Sequence, residues 1–139
     1  MSDRYTRDAV LGEGTYGKVY KGTDQNTGEV IALKKTLLDL EREGVPASTL
    51  REVVLLKELQ HPGIVSLKDV VITESNLFLI FEYLDKDLRS CIESFPDYFT
   101  SETIKMFMFQ IVKAINTCHS RRILHRDLKP ANILVDMEK

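Results

Sequence analysis

Polar and apolar residues alternate through the first quarter of the chain. Lys18-Val19-Tyr20-Lys21 and Glu29-Val30-Ile31-Ala32-Leu33-Lys34 each show strand period, and Asn26-Thr27-Gly28 between them is a hairpin turn signal. Residues 5–35 are therefore predicted to form antiparallel strands. The period then changes, and residues 46–60 are predicted to be a helix that His61-Pro62-Gly63 ends. At about 100° per residue, Glu52, Leu55, Leu56 and Leu59 share one face, while Leu50, Val53, Val54 and Lys57 lie roughly opposite. Two apolar stripes mean burial on both sides or a partner on the outer one. Arg51, Lys57 and Glu58 favour the partner. Residues 64–72 and 77–84 read as strands joined by the polar turn 73–76. The second leaves the sheet at Asp85-Lys86-Asp87, which reads as a hinge. A short helix over 87–95 stops near Phe95-Pro96, and Thr100 or Ser101 starts a longer one to about Ser120. That long helix is apolar on most sides, from Ile104 to Ile115, and such a helix expects burial all round. A loop, His125–Asn132, and a strand, Ile133–Val135, follow.

Composition narrows the function classes. Hydrophobic residues at 43% and charged residues at 29% fit a soluble globular protein, and 139 residues suffice for one ordinary domain. The net charge of −2 offers no general attraction to nucleic acid or to an anionic membrane. No run approaches the roughly 18 apolar residues of a membrane span, and the first residues lack the apolar core of a signal peptide. Cys91 and Cys118 show neither metal-ligand spacing nor a disulfide framework, as expected of thiols in a reducing compartment. A cytoplasmic or nuclear location is expected.

Four stretches carry candidate chemistry. Leu11-Gly12-Glu13-Gly14-Thr15-Tyr16-Gly17-Lys18-Val19 contains three glycines, which let a backbone approach phosphate oxygens with no Cβ in the way. A dinucleotide fold would place a helix after the last glycine, and a Walker loop would need Lys-Ser or Lys-Thr. Strand alternation follows instead, so the pattern fits a glycine-rich hairpin over a nucleotide. Lys34 ends the returning strand on the face of Ala32, with Lys35 on the other face. Glu52 lies among leucines and needs a cation, for which Lys34 is the candidate; it also fits a capping box with Thr49. Finally, His125-Arg126-Asp127-Leu128-Lys129-Pro130-Ala131-Asn132 sets a carboxylate, an ammonium and an amide within eight residues. Asp127 can accept a hydroxyl proton, Lys129 can sit on a transferring phosphoryl group, and Asn132 can offer a hard oxygen to Mg²⁺. A charged turn before a strand is the bland alternative.

In this order, glycine-rich hairpin, Ala-x-Lys, helix glutamate, hinge and His-Arg-Asp, the whole chain resembles the eukaryotic protein kinases. Lys129 looks like the serine/threonine branch. Gly12-Glu13-Gly14-Thr15-Tyr16-Gly17 resembles the glycine loop of cyclin-dependent kinases. Pro46-Ala47-Ser48-Thr49-Leu50-Arg51-Glu52 is similar to their cyclin-binding helix motif, with Pro46, Arg51 and Glu52 matching letter for letter.

The resemblance implies an α+β fold. Residues 1–84 would form an antiparallel N-lobe sheet with one regulatory helix. Residues 85–139 would begin a truncated C-lobe that includes the catalytic loop. It implies ATP and Mg²⁺ as cofactors, Asp127 as catalytic base, Lys129 on phosphate and Asn132 on the metal. Lys34 and Glu52 would form the activating ion pair. Gly12, Glu13, Gly14, Thr15, Tyr16, Gly17 and Lys18 would cover the phosphates. Leu11, Val19, Ala32 and Leu134 would sandwich adenine, Phe81 would line the back of the pocket, and backbone at Glu82 and Leu84 would read the base. Asp87 would meet the ribose. Thr15 and Tyr16 match positions of inhibitory phosphorylation, where about −1.5 to −2 charges would repel ATP phosphates. Expected partners are a cyclin on the 46–60 helix and Ser/Thr protein substrates, with neither nucleic acid nor membrane.

A kinase needs Asp-Phe-Gly about a dozen residues beyond Asn132, to hold a second metal site. The chain ends at Lys139, seven residues beyond. The polypeptide alone is expected to lack activity and to expose an apolar patch. The alternative reading is a non-catalytic short product that binds cyclin or nucleotide.

Overall fold

The computed structural model describes residues 4–14, 17–37, 47–73 and 76–136, with backbone alone for Gly14, Leu37, Ser48, Thr49 and Glu52. The described chain divides into two compact units, residues 1–60 with 65–83, and residues 61–64 with 84–139.

The first unit is a five-stranded antiparallel sheet with one helix. Its strands are β1 (Ala9–Gly14), β2 (Gly17–Thr23), β3 (Val30–Leu37), β4 (Leu67–Ile72) and β5 (Asn76–Glu82), in the order β1-β2-β3-β5-β4. The register sorts the side chains. Val19 pairs with Lys34 and Lys34 with Leu79, while Lys21 pairs with Ala32 and Ala32 with Phe81. Directly opposed residues share a face, so Val19, Ala32, Lys34, Leu79 and Phe81 lie together. Lys35, paired with Phe78, is on the other face. That other face carries the buried cluster Tyr5, Ile31, Leu33, Phe78 and Ile80, with Tyr20 and Val71 against it.

Helix α1 (Ala47–Glu58) covers the first face, where Val53 and Leu56 pack on Leu77 and Leu79. This corrects the expected stripes. Val53 turns inward, and Leu55 is 40% exposed with Leu50 and Val54. The contact follows the i, i+3 row through Val53 and Leu56, so residues at the edges of the two stripes change sides. The helix is also shorter at its end than residues 46–60. Pro62 disfavours helical backbone at His61, and the Gln60 N–H already turns to the Glu58 carbonyl at 3.0 Å. The strand expected over 64–72 begins only at Leu67.

The amino-terminal segment is pinned by a cluster that no sequence pattern announces. Tyr5, 6% exposed, donates its hydroxyl to Asp69 Oδ2 at 2.6 Å. Arg4 donates to both carboxylate oxygens of Asp24, at 2.8 Å from Nη2. Asp24 also accepts the Asn26 N–H and so closes the β2–β3 turn. Burial, then the Asp69 bond, pushes the Tyr5 phenol up to about 12.

The second unit holds β6 (Lys86–Asp87), α2 (Leu88–Ser94), α3 (Ser101–Ser120) and β7 (Leu134–Val135), with 3₁₀ turns at Pro96–Tyr98 and Pro130–Asn132. The expected hinge at 85–87 is in part a strand: Lys86 pairs with Val135 and Asp87 with Leu134. Leu88, Cys91 and Val135 are buried together, with Phe99, Phe107 and Ile133 against them. The long helix spans the predicted residues, with Thr100 as N-cap, but burial all round does not hold. Of its apolar residues, Ala114 is buried, while Phe109 is 63% and Val112 59% exposed.

Candidate functional site

In the second unit the loop before β7 gathers three of the predicted side chains. Lys129 Nζ lies 3.1 Å from Asp127 Oδ2. Asn132 Nδ2 donates to the same oxygen at 2.8 Å and to the Asp127 carbonyl at 2.9 Å. The local chain explains the gathering. Pro130 opens the 3₁₀ turn Pro130–Asn132 with its fixed φ, and the turn swings Asn132 back over Asp127. Lys129, then Asn132, hold the Asp127 carboxyl below the usual carboxylate range. Asp127 is thus an anion at neutral pH, able to accept and orient a hydroxyl. Two donated bonds use both hydrogens of the Asn132 amide, which leaves its Oδ1 as an acceptor.

Two residues to which sequence reasoning assigned no role shape the loop. His125 Nδ1 accepts the Asp127 N–H at 3.2 Å. Arg126 takes φ 65°, a left-handed conformation that costs a non-glycine residue energy. The motif included both residues; the turn between them leaves no separate sequence signal.

The first unit presents the other group. Val19, Ala32 and Phe81 share the face of Lys34, as the register above fixes. The glycine-rich hairpin closes through Gly14 opposite Gly17. Gly17 has φ 112°, and a Cβ there would lie 2.1 Å from the Lys35 carbonyl oxygen, so glycine is required. At Gly12 a Cβ would meet nothing within 4 Å, so packing within the protein does not demand glycine there. Leu11 sits at a register shift in β1 and is 47% exposed. Lys18 and Glu13 pair across the hairpin at 3.0 Å. Glu82 commits its N–H to the Ser66 carbonyl, and its side chain accepts the Ser66 N–H at 2.7 Å. Any base-reading by Glu82 would therefore fall to its carbonyl.

Asp87 is the N-cap of α2. It accepts the Ser90 N–H at 2.9 Å and the Ser90 hydroxyl at 2.6 Å, and these bonds lower its pKa. An aspartate just before an apolar helical run is a readable cap signal. Leu134, opposite Asp87, is 42% exposed, and Leu84 is half-buried. Thr15, Tyr16 and the side chain of Glu52 lie outside the described residues, so the expected Lys34–Glu52 pair and the Thr49 capping box do too.

The residues present suit ATP and Mg²⁺. Mg²⁺ takes one or two carboxylate or amide oxygens and keeps waters or phosphates for the rest. Asn132 Oδ1 is a hard oxygen of that kind, and Lys129 in the second unit and Lys34 in the first are each the kind of cation that a phosphate would meet. Among the described residues no cluster of three or more His, Cys, Asp or Glu forms a metal cage, and no helix is long and apolar enough to cross a membrane.

The family model described as "Protein kinase domain" matches residues 5–139. A curated relative from Trypanosoma brucei brucei, named "Cell division control protein 2 homolog 3", is 51% identical over 133 residues. Those residues are 96% of this chain and 43% of the relative, so the chain spans less than half the relative's length.

Proposed function

The chain belongs to the protein kinase family, and from that premise we propose that it carries the nucleotide-binding part and catalytic loop of an ATP- and Mg²⁺-dependent serine/threonine kinase of the cyclin-dependent type. The observation that carries the reading is the Asp127–Lys129–Asn132 cluster, at 3.1 and 2.8 Å. In this reading Asp127 orients the substrate hydroxyl and accepts its proton. Lys129 neutralises the transferred phosphoryl group, and Asn132, through Oδ1, holds Mg²⁺. ATP supplies the phosphoryl group. Gly12, Glu13, Gly14, Thr15, Tyr16, Gly17 and Lys18 cover its phosphates. Lys34, paired with Glu52, holds the α/β-phosphates, and Leu11, Val19, Ala32, Phe81, Glu82, Leu84, Asp87 and Leu134 receive the nucleoside. Phosphate added at Thr15 or Tyr16 would repel ATP. The relative's printed name supports a cell-cycle role.

A cyclin would seat on the outer face of α1. Leu50 is 49% and Val54 54% exposed there, beside Arg51 and Lys57. That exposure also supports a second reading, in which the chain binds cyclin or nucleotide without transferring phosphate. Because the 139-residue polypeptide alone is expected to lack activity, the test is Mg²⁺-dependent phosphorylation of Ser/Thr substrates by the native protein isolated from its own cells, in the presence of a cyclin, comparing the unsubstituted protein with Asp127→Asn. Loss of a general base should lower the rate about 10²–10⁴-fold. Transfer that survives Asp127→Asn unchanged would overturn the assignment. Binding of cyclin or ATP with no transfer would select the second reading. Leu50→Glu should abolish cyclin binding in both, and unchanged affinity would refute the docking face.

A further inference from the structure

Residues 4–8 lead into β1 and form a strap across the first unit. The Thr6 N–H bonds the Thr23 carbonyl at 3.0 Å and the Asp8 N–H that of Lys21 at 2.8 Å, so the strap extends the β1–β2 ladder upstream. Its side chains reach the rest of the sheet. Arg4 pairs with Asp24 in the turn after β2, and its Nη1 lies 3.4 Å from Asp69 Oδ2 on β4. Tyr5 donates to that same oxygen. The Arg7 guanidinium lies 5.7 Å from the Tyr20 ring centroid on β2 and 5.8 Å from that of Phe78 on β5. β1 and β4 are opposite edges of the sheet, so the leader of one edge strand is tied to the other. Gly22 makes room for it: a Cβ there would collide with the Thr6 carbonyl oxygen.

β1 needs such an anchor. It pairs on one side only, its register on β2 shifts between Val10 and Gly12, and residues 9–13 are exposed. Burial therefore does little to hold the strand, and the nearest buried side chain upstream is Tyr5. We propose that Arg4 and Tyr5 are positioning residues for nucleotide binding, which fix the tilt of the β1–β2 hairpin, and so its hold on phosphate, from the far end of the strand. The inference rests on the ATP reading above, since that reading sets the hairpin tip over the phosphates. A tilt about Tyr5 moves Gly14, about 30 Å of strand away, more than it moves Leu11. In the same reading the base is recognised by backbone at Glu82, which is not part of the strap. Loss of the anchor should therefore weaken the hold on phosphate and spare that on the base.

The test titrates MgATP and adenosine into the native protein isolated from its own cells, unsubstituted and with Arg4→Gln, Tyr5→Phe or both. Amide hydrogen exchange at Glu13 and Lys18 is followed in the same samples. Arg4 lies partly in solvent and Tyr5→Phe keeps the buried ring, so both variants should retain the fold. The double variant should bind MgATP roughly tenfold more weakly, keep its affinity for adenosine, and exchange faster at both amides. A MgATP affinity that does not fall overturns the positioning role. An equal fall for adenosine also overturns it, because it would make the strap a general support of the fold. If the unsubstituted protein binds neither ligand, the ATP reading fails and exchange alone decides the strap. Faster exchange in the variants would then support the anchor, and unchanged exchange would overturn it.

Discussion

Asp127 is held by two donors at once, and the balance between them fixes what the carboxylate can do. The Lys129 ammonium is the larger influence and the Asn132 amide the next; both lower its pKa. A lowered pKa keeps the carboxylate charged as pH falls, so it suits orienting a hydroxyl more than storing a proton. Removing the ammonium should therefore raise the Asp127 pKa toward the ordinary aspartate value, and Asn132→Ala should raise it less. A ¹³C carboxyl titration of Lys129→Ala reads this directly. Both side chains are more than half exposed, so solvent screens the pair. An unmoved titration would mean that screening erases the ammonium's influence. The trio was legible in the sequence because its members fall within eight residues of one motif. The Arg4–Asp24 and Tyr5–Asp69 contacts were not, because they join residues 20 and 64 positions apart and no local period encodes such a meeting. Arg4 holds the Asp24 carboxyl low, and Ser90 does the same for Asp87. A depressed folded-state pKa gives stability that is present above the unfolded value and lost as pH falls through the folded one. Acid should therefore loosen the β2–β3 turn and the start of α2.

Helix α3 ends in a Schellman arrangement with an unusual residue. The Ile123 N–H bonds the Cys118 carbonyl at 3.0 Å and the Arg122 N–H bonds that of His119 at 2.9 Å. Arg122 takes φ 59°, the left-handed position where glycine is favoured. Arg122→Gly should stabilise the chain by about 1 kcal/mol, or roughly 4 °C in Tm. A lower Tm in calorimetry would show that the arginine side chain offsets its backbone strain. Gly17 is the opposite case. Its φ of 112° and the 2.1 Å approach of a Cβ to the Lys35 carbonyl oxygen predict that Gly17→Ala costs at least about 2 kcal/mol, measurable by denaturant unfolding. The three glycines were readable as a hairpin, but only the register separates Gly17, which the fold needs, from Gly12, which it does not. The faces of α1 show the complementary limit. Angular spacing placed Leu56 and Leu59 on the packed side, yet it misplaced Val53 and Leu55. Both lie at stripe edges, where the tilt of a helix on its sheet decides burial and a projection down the axis does not.

Among the described residues, many large apolar side chains are exposed. Ile104, Met108, Phe109 and Val112 are exposed on α3, and Leu50, Val54 and Leu55 on α1. Sequence periodicity identified α3 as apolar on most sides, but it could not say which sides would find a cover within these residues. Contiguous exposure of this kind drives association, and the charge state offers little opposition. Net charge is −2 at pH 7, and the isoelectric point is near 5.9. Self-association of the 139-residue chain should therefore rise as pH falls from 7.5 toward 6, where like-charge repulsion vanishes. Added salt should not dissolve the aggregates, because apolar contact rather than ion pairing holds them. Placing lysines at Phe109 and Val112 should sharply reduce light scattering and binding of a hydrophobic dye at pH 7.5. Both side chains are exposed, so each substitution should move stability by no more than about 0.5 kcal/mol. The sign of the pH effect makes the test selective. Two added positive charges raise the isoelectric point, so a variant that still associates would do so most strongly nearer pH 7 than pH 6. Scattering that stays high in the variant, with its maximum moved toward pH 7, would place the adhesive surface elsewhere. The exposed face of α1 would be the next candidate, and Leu50→Glu its test.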